Sequence, residues 1–185
     1  RSPSRGLGDV YKRQDNYNVG QNDYIRTNIG IIGDKVGSGK SYVILALILF
    51  NKCIHNSQIE SYGLNNIFIN ITSPLETYKT NILVIPHNLY YQWKKYVTNI
   101  TDDKDFKYKL ICRKKDLQEF ILDTKKLNNY DLVLVTDTNF KIISNLILLN
   151  NIKINRLIFD EIDSLNIPSN KKLNSNFYWL SLIHI

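Results

Sequence analysis

The stretch Gly33-Asp34-Lys35-Val36-Gly37-Ser38-Gly39-Lys40-Ser41 decides how the rest of the chain is read. An apolar run, Ile29 to Ile32, leads into it, and a second, Tyr42 to Phe50, leaves it. Strand, glycine-rich turn and helix is the context in which a phosphate-binding loop forms. Gly37 and Gly39 let the backbone fold tightly enough for several N–H groups to converge on one anion. The helix that follows presents its positive end to that anion. Lys40 can reach terminal phosphates, and the Ser41 hydroxyl can bind Mg2+. Gly37, Ser38, Gly39, Lys40 and Ser41 are therefore the candidate nucleotide-binding residues. The usual pattern has glycine five residues before Gly39, where this chain has Asp34. The plainer reading of the stretch is a flexible glycine loop with a solvated lysine.

Downstream, apolar strand patterns alternate with helical ones. Asn81 to Pro86, Lys107 to Cys112, Asp131 to Val135 and Arg156 to Asp160 read as strands. Lys40 to about Lys52, Leu89 to Thr98, Asp116 to about Lys126 and Phe140 to Leu149 read as helices, with Leu117, Phe120 and Ile121 at helical spacing. Thr27 to Ile32 reads as a buried first strand. Between His55 and Thr80 the pattern is weak, with Ile67 to Ile71 as a short edge strand in a long insertion. Near-continuous apolar strands separated by helices predict an α/β fold, a parallel sheet covered on both faces. In such sheets ligands sit at the carboxyl ends of the strands. The glycine loop, Pro86, Thr136 and Asp160 all fall there.

Asp160-Glu161-Ile162-Asp163 ends the last of these strands. A carboxylate after three apolar residues, Leu157, Ile158 and Phe159, suits a Mg2+ ion facing the phosphate loop. Glu161 can act as general base on an attacking water. Lys40, Asp160 and Glu161 are the candidate catalytic residues, and Ser41 and Asp160 the candidate metal ligands. The alternative is an acidic helix cap. Lys40 and Asp160 are expected on adjacent strand ends, facing one cleft.

At these residues the chain resembles the first motor lobe of superfamily 2 helicases and translocases, from about residue 25 to 179. Gly37-Ser38-Gly39-Lys40-Ser41 looks like motif I. Leu83 to Trp93, with Pro86, Leu89 and Gln92-Trp93, is similar to motif Ia of Swi/Snf-type translocases. Asp131 to Thr136 looks like motif Ib, and Asp160-Glu161-Ile162-Asp163 like motif II, the Asp-Glu-x-Asp/His box. Asp at position 34 is common in that group. The resemblance implies a RecA-like lobe that binds ATP and Mg2+ and works as a nucleic-acid-dependent ATPase with a second RecA-like lobe. It implies backbone contacts to DNA or RNA from Pro86, His87, Asn88 and Thr136, contacts of the kind that position a strand without reading its sequence. Lys94 and Lys95 can add charge, or simply form a solvated face. Tyr90, Tyr91, Trp93 and Tyr96 have the surface to stack bases, while helical spacing favours the core for Trp93. No glutamine stands at the family's adenine-reading position, since Gln21 is too close to the loop. Motif III is expected beyond residue 179, and the fragment alone is expected to be inactive. Other readings are the motor subunit of a restriction system, a different phosphate-loop NTPase, and a non-catalytic nucleotide-binding scaffold.

Composition frames this reading. The chain has 185 residues, 43% hydrophobic and 22% charged, ordinary values for a globular domain. No apolar run approaches the roughly 20 residues of a membrane span. Cys53 and Cys112 fit no metal spacing and read as free thiols of a reducing, intracellular compartment. Ala46 is the only alanine and methionine is absent, while Asn, Ile, Lys and Tyr are abundant. That bias fits an A/T-rich gene and is similar to the style of helicases from large nucleocytoplasmic DNA viruses. Residues 4–14 and 180–185 resemble translated ends of a transposase adapter used in sequencing libraries. Residues 1–14 and 180–185 are therefore expected to be scars, and 15–179 one truncated domain. The first segment carries +3 of the net +7, which leaves +4 for the rest. Charge alone is then a weak argument for nucleic acid. Residues 180–185 are expected to pack poorly, unless Leu180, Leu182 and Ile183 continue a strand begun at Phe177.

Overall fold

The computed structural model describes residues 28–50, 76–100, 105–121, 124–167 and 173–182. Its strands are β1 (Ile29–Gly33), β2 (Glu76–Thr77), β3 (Asn81–Ile85), β4 (Tyr108–Ile111), β5 (Leu132–Thr136), β6 (Ile152–Phe159) and β7 (Ser175–Leu182). Its helices are α1 (Lys40–Phe50), α2 (Tyr90–Ile100), α3 (Lys114–Ile121) and α4 (Asp137–Leu149), with short 3-10 turns at His87–Leu89, Thr124–Asn129 and Ile162–Ser164. The spatial order is β1-β7-β6-β3-β5-β4, and the two-residue β2 pairs with the start of β6. Every pairing is parallel.

β3 and β5 are buried at every residue. Their alternating side chains serve both faces of the sheet. On one face Ile82, Val84, Val133 and Val135 meet Leu117 and Phe120 of α3 and Phe140, Ile143 and Ile147 of α4. On the other, Leu83, Ile85, Leu132, Leu134 and Ile158 meet Ile44, Leu45 and Ile48 of α1 and Trp93 and Val97 of α2. The expected α/β architecture is thus formed, with helices on both faces. α3 has only eight residues, too few to persist alone in water. Burial of Leu117 and Phe120 holds it, each side chain contributing about 1.5–3 kcal/mol.

Several helix boundaries differ from the expected ones. α3 begins at Lys114 rather than Asp116, because the Asp116 carboxylate accepts the N–H groups of Arg113 (2.9 Å) and Cys112 (3.4 Å) from inside the first turn. α4 starts at Asp137 rather than Phe140, directly after β5. The helix expected to run to Lys126 ends at Ile121, and the 3-10 turn Thr124–Asn129 follows. The edge strand expected at Ile67 to Ile71, the position of Gln21 and residues 1–14 lie outside the described residues.

Two corrections concern the β1 side of the sheet. β1 was expected to be buried, yet Ile29 is 48% and Ile31 60% exposed. Among the described residues it pairs only with β7, so one edge is left without a neighbouring strand. β7 itself runs through Leu182, with Leu180, Ser181 and Leu182 opposite Ile31, Ile32 and Gly33. For 180–182 the stated alternative holds: the strand continues through Leu182 and Ser181 is buried, although the strand begins at Ser175 rather than Phe177. Backbone pairing needs no matched side chains, which is why these residues extend the ladder.

Gly30 faces Trp179 across this ladder, and a Cβ at Gly30 would lie 2.5 Å from the indole ring. Gly30→Ala is expected to destabilise the domain by about 1–3 kcal/mol, the usual cost of overpacking. Urea denaturation followed by circular dichroism measures this. An unchanged midpoint would mean that the indole swings aside freely.

Candidate nucleotide site and nucleic-acid rim

Because the strands are parallel, their carboxyl ends share one rim. From β1 the chain turns through residues 34–39 into α1. Gly37 (φ 79°) and Gly39 (φ 90°) occupy the left-handed region, where a Cβ is sterically costly. No atom lies within 4 Å of a Cβ built at either position, so backbone conformation and not crowding selects glycine. The Lys40 ammonium folds back and donates to the carbonyls of Asp34 (2.5 Å) and Lys35 (3.0 Å). Ser38 N–H also donates to the Lys35 carbonyl, at 3.2 Å. The first turn of α1 carries no acidic residue, so its positive end remains available to an anion.

β6 delivers the opposing carboxylates. Asp160 is 4% exposed, and its N–H donates to the Val84 carbonyl of β3 at 3.0 Å. Its Oδ2 accepts the indole N–H of Trp93 at 2.8 Å. Glu161 sits at φ 50°, ψ 54° and makes no side-chain cap bond to the turn that follows. A left-handed non-glycine residue costs of order 1–3 kcal/mol. With no cap bond, helix capping does not account for it. Burial first, then the charges of Asp160 and Asp163, push the Glu161 carboxyl above its usual range, against the pull of Lys40.

A cleft of about 200 Å³ is lined by Gly37, Gly39, Lys40 and Ser41 from one side and by Asp160 and Glu161 from the other. Leu89, Gln92, Trp93 and Tyr96 complete it from the α2 side, with Tyr42 of α1. Lys40 and Asp160 thus face one cleft, as expected. Their strands are not adjacent, however, because β7 lies between β1 and β6. The donors fit Mg2+: a hydroxyl and a carboxylate are hard oxygen ligands, and mutual repulsion among Asp160, Glu161 and Asp163 favours a cation. No group of three or more His, Cys, Asp or Glu that could cage a metal occurs among the described residues. An ion here would therefore rest on few protein groups and take its remaining ligands from phosphate and water, as Mg2+ prefers.

The neighbouring strand ends hold the residues expected to contact a nucleic-acid backbone. Pro86 is buried after β3, while His87 and Asn88 are exposed in the 3-10 turn. Thr136, at the end of β5, is fully buried. Its hydroxyl lies 3.0 Å from the Thr138 hydroxyl and accepts from Asn139 Nδ2 at 3.1 Å. The exposed threonine at this strand end is Thr138, which the sequence reading did not single out. Asn139 also ties the end of β4 to the rim, donating to the Cys112 carbonyl at 2.7 Å. Cys112 is a free thiol, 4.0 Å from His87 Nδ1, and burial followed by the Asp116 charge pushes its pKa up. Cys53 lies outside the described residues.

On α2, Lys94 and Lys95 are exposed, and so is Tyr91. Trp93 is core, 1% exposed, as its helical spacing favoured. Its bond to Asp160 was not foreseen, although a buried indole N–H generally requires a partner. Among the described residues no helix is long and apolar enough to cross a membrane.

Comparison with known proteins adds two findings. Over 97 residues the chain is 33% identical to "Putative helicase R592" of Acanthamoeba polyphaga mimivirus. That stretch is 52% of this chain and 11% of the viral protein, so the chain spans roughly a tenth of its relative. A model of the SNF2-related domain matches residues 10–181, which takes in parts of both terminal stretches read as scars. With this match over nearly its whole length, and with a parallel sheet covered by helices on both faces, the chain belongs to the SNF2-related domain family.

Proposed function

We propose that this domain is the ATP-binding motor lobe of a nucleic-acid-dependent helicase or translocase. The observation that carries the reading is the shared cleft, in which Lys40 and Ser41 of the glycine loop face Asp160 and Glu161. In this reading Lys40 exchanges the Asp34 and Lys35 carbonyls for the terminal phosphates of ATP. Loop N–H groups and the start of α1 hold the same phosphates. Ser41 and Asp160 hold Mg2+, which when bound neutralises phosphate charge. Glu161 takes a proton from the attacking water. His87, Asn88 and Thr138 contact a DNA or RNA backbone at the rim, with buried Pro86 and Thr136 setting the turns that present them.

A second lobe completes the site. The cleft, at about 200 Å³, falls below the roughly 300–1,000 Å³ of closed ligand pockets. Lys40 is the only cation among the described residues that line it. Phosphoryl transfer spreads negative charge over the γ-phosphate, and a positioned arginine contributes about 10³–10⁵ in rate. The 185-residue chain is accordingly expected to bind Mg-ATP weakly, to hydrolyse it slowly, and to respond little to nucleic acid. An ATPase assay on the purified chain, with and without single- and double-stranded DNA and RNA, measures this. Robust stimulated turnover would overturn the need for a second lobe. Absence of Mg-ATP binding would overturn the nucleotide site.

A further inference from the structure

We infer that Trp93 is a positioning residue for the cation-binding carboxylate: its indole N–H captures Asp160 Oδ2 and leaves Oδ1 for the metal. The inference rests on the nucleotide-site reading and adds to it a residue that touches neither metal nor phosphate. The bond is 2.8 Å long and joins groups 67 residues apart. Both residues are buried, Trp93 to 1% and Asp160 to 4% exposure, so water has little access to the bond between them. The Asp160 main chain is anchored separately, its N–H on the Val84 carbonyl. Strand pairing therefore places the residue, and the indole sets the side chain.

Trp93 is itself held by its neighbours. It packs with Leu83, Ile85 and Ile158 in the core on this face of the sheet. Its ring meets Tyr96 edge-on at 6.0 Å, and Tyr96 meets Tyr42 of α1 at 5.1 Å. Tyr42 lies two residues after Lys40. The chain Asp160, Trp93, Tyr96, Tyr42 thus joins the carboxylate side of the cleft to the helix that follows the phosphate loop. The turn before α2 carries exposed His87 and Asn88, so the indole also connects the carboxylate to the rim. A partner that orients a metal ligand from behind typically contributes 10–100-fold in metal affinity or activity.

The test is nucleotide binding by calorimetry, with ATP and EDTA and with ATP and Mg2+, on the whole chain. Trp93→Phe keeps an aromatic ring and removes the N–H. It is expected to reduce the Mg2+-dependent gain in ATP affinity by about 10–100-fold and to leave metal-free ATP affinity within a few-fold. In an Asp160→Ala background the same substitution is expected to change neither quantity, since the indole then has no carboxylate to orient. An equal loss in both backgrounds, or a loss of metal-free affinity, would assign Trp93 a purely structural role and overturn the inference. A wild-type chain that binds ATP with no dependence on Mg2+ would overturn the metal site as well. A second readout needs no substitution at Trp93. The chain has two tryptophans, so Trp179→Phe leaves one indole N–H resonance, from Trp93. That resonance is expected to shift on addition of Mg2+ with ATP and to stay in place on addition of ATP with EDTA. A resonance unmoved by both would overturn the inference even where Trp93→Phe fails to fold.

Discussion

Lys40→Ala is expected to weaken Mg-ATP binding by roughly 10–100-fold. Hydrogen bonds to charged groups contribute about 1.5–3 kcal/mol, and each 1.4 kcal/mol is tenfold in affinity. The phosphates lose a cation, and this loss outweighs the Asp34 and Lys35 carbonyl contacts that Lys40 gives up on binding. The residual binding should also depend less on salt, because the charge that is screened has gone. Titration calorimetry at two ionic strengths, with thermal melting of the free variant as a folding control, measures both. Affinity unchanged by the substitution would return the stretch to a flexible glycine loop with a solvated lysine.

Glu161→Gln is expected to lower the single-turnover rate by about 10²–10⁴, the usual contribution of a general base, with Mg-ATP affinity changed little. The acidic limb of the wild-type rate should lie above the range of an ordinary glutamate. Burial is the largest cause, the charges of Asp160 and Asp163 add to it, and Lys40 opposes them. The base works deprotonated, so the rate should rise as pH passes through that raised value. Stability moves the other way. A carboxyl whose pKa is raised by folding binds its proton more tightly in the native state. Its contribution is present below the unfolded value and is lost as pH rises through the folded one. The glutamine variant should therefore lose both the acidic limb and this part of the pH dependence of unfolding. Radiolabelled ATP with the chain in excess gives the rate, and denaturant titration at several pH values gives the stability. A limb that survives in the variant would assign the base to another group.

Features that depend on near neighbours were legible along the chain. Gly37 and Gly39 answer a requirement of their own backbone angles. The near-continuous apolar runs of β3 and β5 follow from burial on both faces, and Leu117 and Phe120 from the helical period. The motif residues were legible for the same reason, since phosphate loop and acidic box each lie within a few consecutive residues. Which strands are neighbours was not legible there, because parallel pairing joins segments far apart in the chain and leaves no local trace. β7 enters between β1 and β6 and so separates Lys40 from Asp160 by one strand, while among the described residues β1 has no strand on its other side. Burial likewise turned Thr136 inward and left Thr138 at the surface, a choice set by how α4 packs against the sheet. The indole of Trp93 was visible in the sequence as a core residue. That its N–H meets a carboxylate at the end of β6 is a consequence of α2 crossing the same face of the sheet, where a buried donor takes whichever acceptor the packing brings within reach.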